Sequence, residues 1–350
     1  SFPDRPLAVK DPVGTDGLGL VTIVVPKGEL SHLEFKRLAE ISEIFGNKRL
    51  YTTQRQNIEI HGVRTDKVMA CKAAIKEAGF VTEGAEGIRE QIAGVLANIS
   101  KQQKITAIGV GFGGPFNRET GRACCSHQVT GWDDFPLRDW LSEQVAGVPV
   151  AIENDGNTAA LGEAIAGAGQ GQSPVFYVTL GSGIGGGLVI DGLIYHGALP
   201  TEAEIGHVRL NQAGDTLESR CSGWAVDRRL REYASANADS PLAKRLDGEG
   251  GEAQHLAKAM ADGDAGAKAI FDETCGELAL GLSHVVHLIN PATIILGGGL
   301  SQIGEPLRLG VATALGRAIM DVLKPGPSVR LAKLGEDAVP VGALILALNV

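Results

Sequence analysis

An aspartate where a strand gives way to a helix is the residue best placed for proton transfer. It is Asp155, within Ile152-Glu153-Asn154-Asp155-Gly156-Asn157, between an apolar run over 148–152 and helical spacing over 157–166. Two readings compete. Asn154 or Asp155 caps the helix by accepting from its first free N–H groups, or Asp155 is a general base that takes the proton of an attacking sugar hydroxyl. The carboxyl end of a strand is the usual place for an α/β site, which favours the base.

Three further clusters carry candidate chemistry. Leu180-Gly181-Ser182-Gly183-Ile184-Gly185-Gly186-Gly187 follows an apolar strand over 175–180. Glycines let backbone N–H groups converge on phosphate oxygens, and they also build tight hairpins, so a return strand over 187–190 is the plain alternative. Glu204-Ile205-Gly206-His207 puts an acid and an imidazole three residues apart, on one side of a helical turn. Such a pair grips adjacent hydroxyls of a polyol, or is a surface hydrogen bond. Asn290-Pro291 leads through Ile294-Ile295-Leu296 into Gly297-Gly298-Gly299. Three glycines after a strand form a close-approach platform for a flat base or a ribose, or a simple turn.

The elements that must position these groups alternate. The pattern predicts a helix over 88–99, strands over 105–111, 148–152 and 175–180, a helix over 278–289 and a strand over 293–296, which is an α/β layout. Before it, residues 1–82 read as β-α-β-β-α: strands at 18–25, 50–53 and 57–63, helices at 33–45 and 69–78, an arrangement expected of a small ferredoxin-like unit. Glu83-Gly84-Ala85-Glu86-Gly87 has the small, polar make-up of a linker. Charge divides the chain in the same place, about +2 before residue 83 and about −11 after it.

The whole chain has 350 residues, 44% hydrophobic and 21% charged, with a formal charge of −9. That is a soluble globular composition of two or three domains, and it argues against nucleic-acid binding as the main activity. Five cysteines without a CxxC pair suit a reducing cytosol. With no apolar run of about 18 residues and no signal peptide, a cytoplasmic protein with no membrane span is expected.

Two resemblances follow from these motifs. Thr53-Gln54-Arg55-Gln56-Asn57-Ile58-Glu59-Ile60-His61-Gly62-Val63, with Gly28-Glu29-Leu30, resembles the ferredoxin-like half-domain of sulfite and nitrite reductases. There the arginine matching Arg55 helps hold sirohaem carboxylates or the oxyanion. The accompanying iron–sulfur cluster needs four thiolates, and this part of the chain offers only Cys71. Neither sirohaem nor a cluster is therefore expected.

In the rest of the chain, roughly 88–350, the order Gly113-Gly114-Pro115, Glu-Asn-Asp-Gly-Asn, the 180–187 run, Glu-Ile-Gly-His and Asn-Pro…Gly-Gly-Gly resembles the ROK family, which includes bacterial glucokinases. The resemblance implies a two-domain ribonuclease-H-like (actin-type ATPase) fold and transfer of the γ-phosphoryl of Mg-ATP to the 6-hydroxyl of a hexose, glucose first among them. It places the catalytic aspartate at Asp155 and sugar contacts at Gly114, Asn154, Glu204, His207 and Glu218. Gly181, Ser182 and Gly183 match the second phosphate loop, and Gly297, Gly298 and Gly299 the adenosine segment. A homodimer is a common family assembly. Which hexose is used, and ATP against polyphosphate as donor, stay open.

Two departures stand out. The family's structural zinc uses one histidine and three cysteines, yet no cysteine lies between His207 and Glu218, and Cys221 lies beyond, so no zinc is expected. The opening Asp-x-Gly-Gly-Thr phosphate loop and its strands are replaced by the reductase-like piece; Asp11-Pro12-Val13-Gly14-Thr15 has only a passing likeness. The kinase-like fold would then lack part of its first sheet, leaving an unpaired edge. An impaired kinase and a non-catalytic sugar-binding protein are both compatible with that loss. The reductase reading has a direct check: sirohaem would give the purified protein visible absorbance bands, and a colourless protein is expected.

Overall fold

The computed structural model describes residues 18–24, 31–52, 58–67, 70–71, 74–75, 78, 81–82, 85–126, 129, 131–198, 201–246 and 251–350. The segments 11–15, 28–30 and 53–57, and with them Arg55, lie outside these residues. The chain divides into two compact units, one of residues 1–106 and 114–148, the other of 107–113 and 149–350.

In the first unit, strands β1 (Leu18–Val24), β2 (Leu50–Thr52), β3 (Ile58–Arg64) and β4 (Val81–Thr82) form an antiparallel sheet in the order β2-β3-β1-β4. That is the ferredoxin-like order expected of β-α-β-β-α, with β4 added as a short edge. Helix α1 (His32–Phe45) starts at a capping box in which Ser31 and Glu34 satisfy each other's backbone N–H groups. Its Leu38 and Ile41 meet Ile60, Val63, Cys71 and Ile75 in a small core. Helix α2 (Ala85–Gln102) begins three residues before the predicted 88, because Ala85 and Gly87 are buried rather than free in solvent. Short β6 (Phe116–Asn117) and β7 (Arg122–Ala123) and helix α3 (Leu137–Gln144) complete this unit.

The second unit holds β5 (Ile108–Phe112) and β8 (Val150–Asn154) as a parallel pair; no third strand joins them among the described residues. A five-stranded sheet runs β11 (Leu193–Ile194), β10 (Ile184–Ile190), β9 (Val175–Leu180), β12 (Thr293–Gly297), β13 (Ser328–Leu331). Helix α4 (Asp155–Ile165) leaves the end of β8. Helices α5 (Leu217–Cys221), α6 (Gly223–Ala236), α7 (Leu256–Ala261), α8 (Ala265–Ile289), α9 (Glu305–Ala318) and α10 (Ala338–Leu348) follow. The larger core packs Val178, Leu180 and Ile294 against Leu217, Leu230, Leu278 and Leu282. Helix α8 starts at 265 rather than 278, capped by Asp264, which accepts from the N–H groups of Gly266 and Ala267.

Glycine in this unit is chiefly a packing residue. Gly185 and Gly186, expected as loop, are strand: β10 begins at Ile184, opposite Leu180, three residues before the expected 187. A Cβ on Gly187 would lie 2.6 Å from the Ala160 Cβ of α4, and one on Gly186 2.8 Å from the Ala203 carbonyl. Helix α10 closes on β5 and α4 in the same way, since a Cβ on Gly109 would meet the Ala343 carbonyl at 1.8 Å and one on Gly342 the Thr158 carbonyl at 1.9 Å. Substituting Gly187 by Ala is therefore expected to cost ~1–3 kcal/mol as overpacking. Gly276→Ala, in open space on α8, should stabilise by up to ~1 kcal/mol. Thermal melts of the two variants, shifting in opposite directions, check this.

Candidate active site

The first residues of β10 are the spine around which the site residues gather. The β9–β10 connection is only Gly181-Ser182-Gly183, closed by the Gly181 N–H donating to the Gly183 carbonyl (2.9 Å). Neither glycine has positive φ. Gly183 is needed because a Cβ there would stand 2.5 Å from Glu218 Oε2. Glu218, in α5, accepts the Ile184 N–H through that oxygen at 2.8 Å. The Gly223 N–H, at the start of α6, donates to the Gly181 carbonyl at 2.7 Å. Thus α5 and α6 pin the loop from one side.

Asp155 arrives from the other side. Asn154 is the helix cap: its Oδ1 accepts from the N–H groups of Gly156 (2.8 Å) and Asn157 (3.3 Å). This settles the capping alternative in favour of Asn154 and leaves Asp155 as the first helical residue, its Oδ1 accepting from the Gly156 N–H at 3.0 Å. A Cβ on Gly156 would come within 2.8 Å of the Gly186 carbonyl, so the first turn of α4 lies directly on β10. Gly113 ends its strand beside the acid, its would-be Cβ 3.7 Å from Asp155 Oδ2. Although the residue presents surface to solvent, its carboxyl is crowded by protein. That desolvation raises its pKa above the usual aspartate value, against the opposing pull of the Gly156 N–H and the Asn154 side chain.

Glu204 precedes a 3-10 turn, Ile205–His207, rather than an α-helical one. Gly206 sets this turn on the spine, since a Cβ there would strike the Ile184 carbonyl at 2.2 Å. Ala203 before it has the left-handed φ of +60°, a strained conformation for a residue with a Cβ. Glu204 and His207 are both exposed. Asp155, the 181–183 loop, Glu218 and the 204–207 turn therefore share one neighbourhood at the start of β10. Gly114 belongs to the other unit.

On the far side, Gly297 closes β12 against Tyr177, with a would-be Cβ 2.2 Å from the phenol oxygen. Burial pushes that phenol up to about 12. Gly298 has φ +78° and abuts the Leu180 backbone, whereas Gly299 faces open space. A cavity of about 640 Å³ is bordered by Gly181, Ser182, Gly299 and Trp224. Cys221, which is buried, has its Sγ 3.8 Å from the Thr274 carbonyl and 3.7 Å from Glu277, both on α8.

One network was invisible in the motifs. His196 stands between Glu202 (Nδ1 to Oε1, 3.2 Å) and Glu153 (Nε2 to Oε2, 3.5 Å), both carboxylates nearly buried. Asn157 Nδ2 donates to Glu202 (2.9 Å) and approaches Glu153 (3.4 Å), while its buried Oδ1 has no partner. Glu153, His196 and Glu202 are the group of three potential metal ligands among the described residues. They clamp the end of β8, just before Asp155, to the segment leading to Glu204. No motif signals this, because the contact spans some 45 residues of chain.

A family model described as "ROK family" matches residues 75–350. The chain belongs to the ROK family. A second model, "Nitrite/Sulfite reductase ferredoxin-like half domain", matches residues 13–78, so a ferredoxin-like segment precedes the ROK region. The chain is 35% identical over 238 residues to the glucokinase of Thermotoga maritima, covering 65% of this chain and 74% of that protein. It is 33% identical over 252 residues to the glucokinase of Halalkalibacterium halodurans, covering 69% and 76%. The ROK glucokinase of Streptomyces griseus in complex with glucose and AMPPNP has a similar structure, with a TM-score of 0.66, 32% identity, and 77% of this chain and 91% of that chain covered. The ROK region thus has the actin-like α/β fold of sugar kinases, and no helix among its described residues is long and apolar enough to cross a membrane.

If the Asp155 carboxylate is strained for function, Asp155→Asn should raise the melting temperature at pH 7. The raised folded-state pKa means ionisation costs stability at neutral pH. The gain should fade as the pH drops through that pKa toward the unfolded value near 3.8. Melting curves from pH 3.5 to 7.5 test both sign and window.

Proposed function

We propose that residues 88–350 form an ATP-dependent hexose kinase of the glucokinase type, transferring the γ-phosphoryl group to the sugar's 6-hydroxyl. The observation that carries this reading is the shared neighbourhood of a desolvated aspartate, a three-residue glycine–serine loop and a hydroxyl-gripping Glu–His turn around the start of β10. The glucokinase relatives support the same reading.

The residues present suit the two substrates. Asp155, its pKa raised by desolvation, is a stronger proton acceptor than a free aspartate, as suits a base. Asn154, Glu204, His207 and Glu218 hold the ring hydroxyls, turning the 6-hydroxyl toward the donor. ATP enters as its magnesium complex. Gly181, Ser182 and Gly183 receive its phosphates, and the Gly297–Gly299 segment borders its adenosine, with Gly299 facing open space. Removing the proton as the oxygen attacks, and holding donor and acceptor in line, supply most of what phosphoryl transfer needs.

The protein would work in the cytoplasm, without a nucleic-acid partner, as a monomer or the homodimer common in the family. The family also holds repressors. A non-catalytic sugar-binding protein is the second reading, because the stretch that would carry the first phosphate loop instead matches the reductase half-domain. A coupled assay with glucose and Mg-ATP, beside glucose calorimetry, separates the two. Turnover that drops by about 10²–10⁴-fold in Asp155→Ala, with glucose affinity retained, is expected for the kinase; binding without turnover in the unaltered protein supports the sensor.

A further inference from the structure

The cavity beside the 181–183 loop has walls that the kinase reading does not use. Trp224 is the second residue of α6, directly after the Gly223 that donates to Gly181, and 57% of its surface is exposed. A large aromatic ring left in solvent is unusual for a residue that fills cores elsewhere, and this one lines the cavity. Leu300 and Ile303, following Gly299, are part of the same lining, as are Gln254 and Gln302. Asp227, one turn beyond Trp224, is the only charged residue among the described residues of the lining, and its Oδ1 accepts the Ala253 N–H at 2.7 Å. No described lining residue is Lys or Arg.

That chemistry discriminates between the two phosphoryl donors left open by the motifs. A polyphosphate chain is a string of anions and would lay its charges along the whole cavity. It would need cationic partners there, and it would meet a carboxylate and apolar walls instead. A nucleoside triphosphate confines its charge to one end. Its phosphates can lie at the 181–183 loop, where the Gly181 N–H is given to the Gly183 carbonyl and Ser182 offers its main-chain N–H and hydroxyl, and its flat base needs an aromatic or apolar surface. Base–aromatic stacking is tolerant of base identity and strong. We propose that Trp224 is the base-stacking residue of the donor site, and that the cavity it lines selects a nucleoside triphosphate over inorganic polyphosphate. This rests on the kinase reading for its choice of donors but not for its binding chemistry.

The test uses the full chain and two probes, ADP and inorganic tripolyphosphate, each as its magnesium complex. Tryptophan fluorescence is followed first without sugar. ADP should change the emission and tripolyphosphate should not. The change should vanish in Trp224→Phe, which leaves Trp132 and Trp140 in place. Calorimetry should show ADP affinity falling about ten- to a hundredfold in Trp224→Ala and within about threefold of the unaltered protein in Trp224→Phe. Tripolyphosphate affinity should be weak and unmoved by either variant.

Where glucose is turned over, Trp224→Ala should raise the KM for ATP by the same factor and leave kcat and the KM for glucose within about twofold. An unchanged ADP affinity in Trp224→Ala, or polyphosphate serving as donor as efficiently as ATP, overturns the proposal. If Trp224→Ala fails to fold, the fluorescence response of the unaltered protein and of Trp224→Phe still decides. A nucleotide response without any sugar phosphorylation sinks the kinase reading and leaves the stacking residue standing.

Discussion

The arrangement depends on a backbone that has no side chains where three other segments must touch it. At Ile184–Gly187 the strand is met by the first turn of α4, by the turn before His207 and by the carboxylate of Glu218, each within ordinary contact of main-chain atoms. A Cβ at Gly183, Gly186, Gly187 or Gly206 would separate one of these partners from the strand. Packing of this density transmits displacement rather than absorbing it. The relative positions of Asp155, the 181–183 loop and the 204–207 turn therefore follow from one short stretch of glycine.

This clarifies what could be read from the residues alone. Asp155 was legible because a strand's carboxyl end followed by a helix is visible in hydrophobic pattern, and the structure separates the roles of the adjacent Asn154 and Asp155 by giving the cap to the asparagine. The β-α-β-β-α succession of the ferredoxin-like unit is legible from alternating and helical periods in turn, whereas the sheet order β2-β3-β1-β4 and the short fourth strand carry no such signal and are seen only in the structure. The start of the return strand is less legible than its end. Glycine marks turns and close approach alike, and a one-dimensional pattern does not distinguish the two uses, so Gly185 and Gly186 read as loop although they serve proximity within the strand that Gly187 continues. The true loop is three residues long.

Other features had no local signal at all. The His196 bridge joins carboxylates that are far apart in the chain, and neither glutamate lies in a recognisable spacing with the histidine. Helix α10 is not signalled by periodicity; its stretch over 338–348 is apolar all round, on the face packed against β5 and α4 and on the exposed face of Leu344 and Leu348 alike, so no polar stripe marks it as a helix. Contacts across the fold decide such elements, and they override the local pattern. Among the described residues β5 and β8 pair only with each other, and α10 packs on β5.

The hydrogen bond from Ile184 to Glu218 has a mechanical corollary. A carboxylate has two oxygens, and here one is committed to the main chain at the foot of the glycine–serine loop. The same rigid group thus faces the backbone with one atom while its other atom can face whatever occupies the adjacent space. On the kinase reading proposed above, with a phosphate at the loop and a ring hydroxyl at Glu218, a tilt of the loop would rotate the carboxylate about that fixed point, and a pull on the carboxylate would tug the loop in return. Two occupants that never touch would then feel each other through a single side chain.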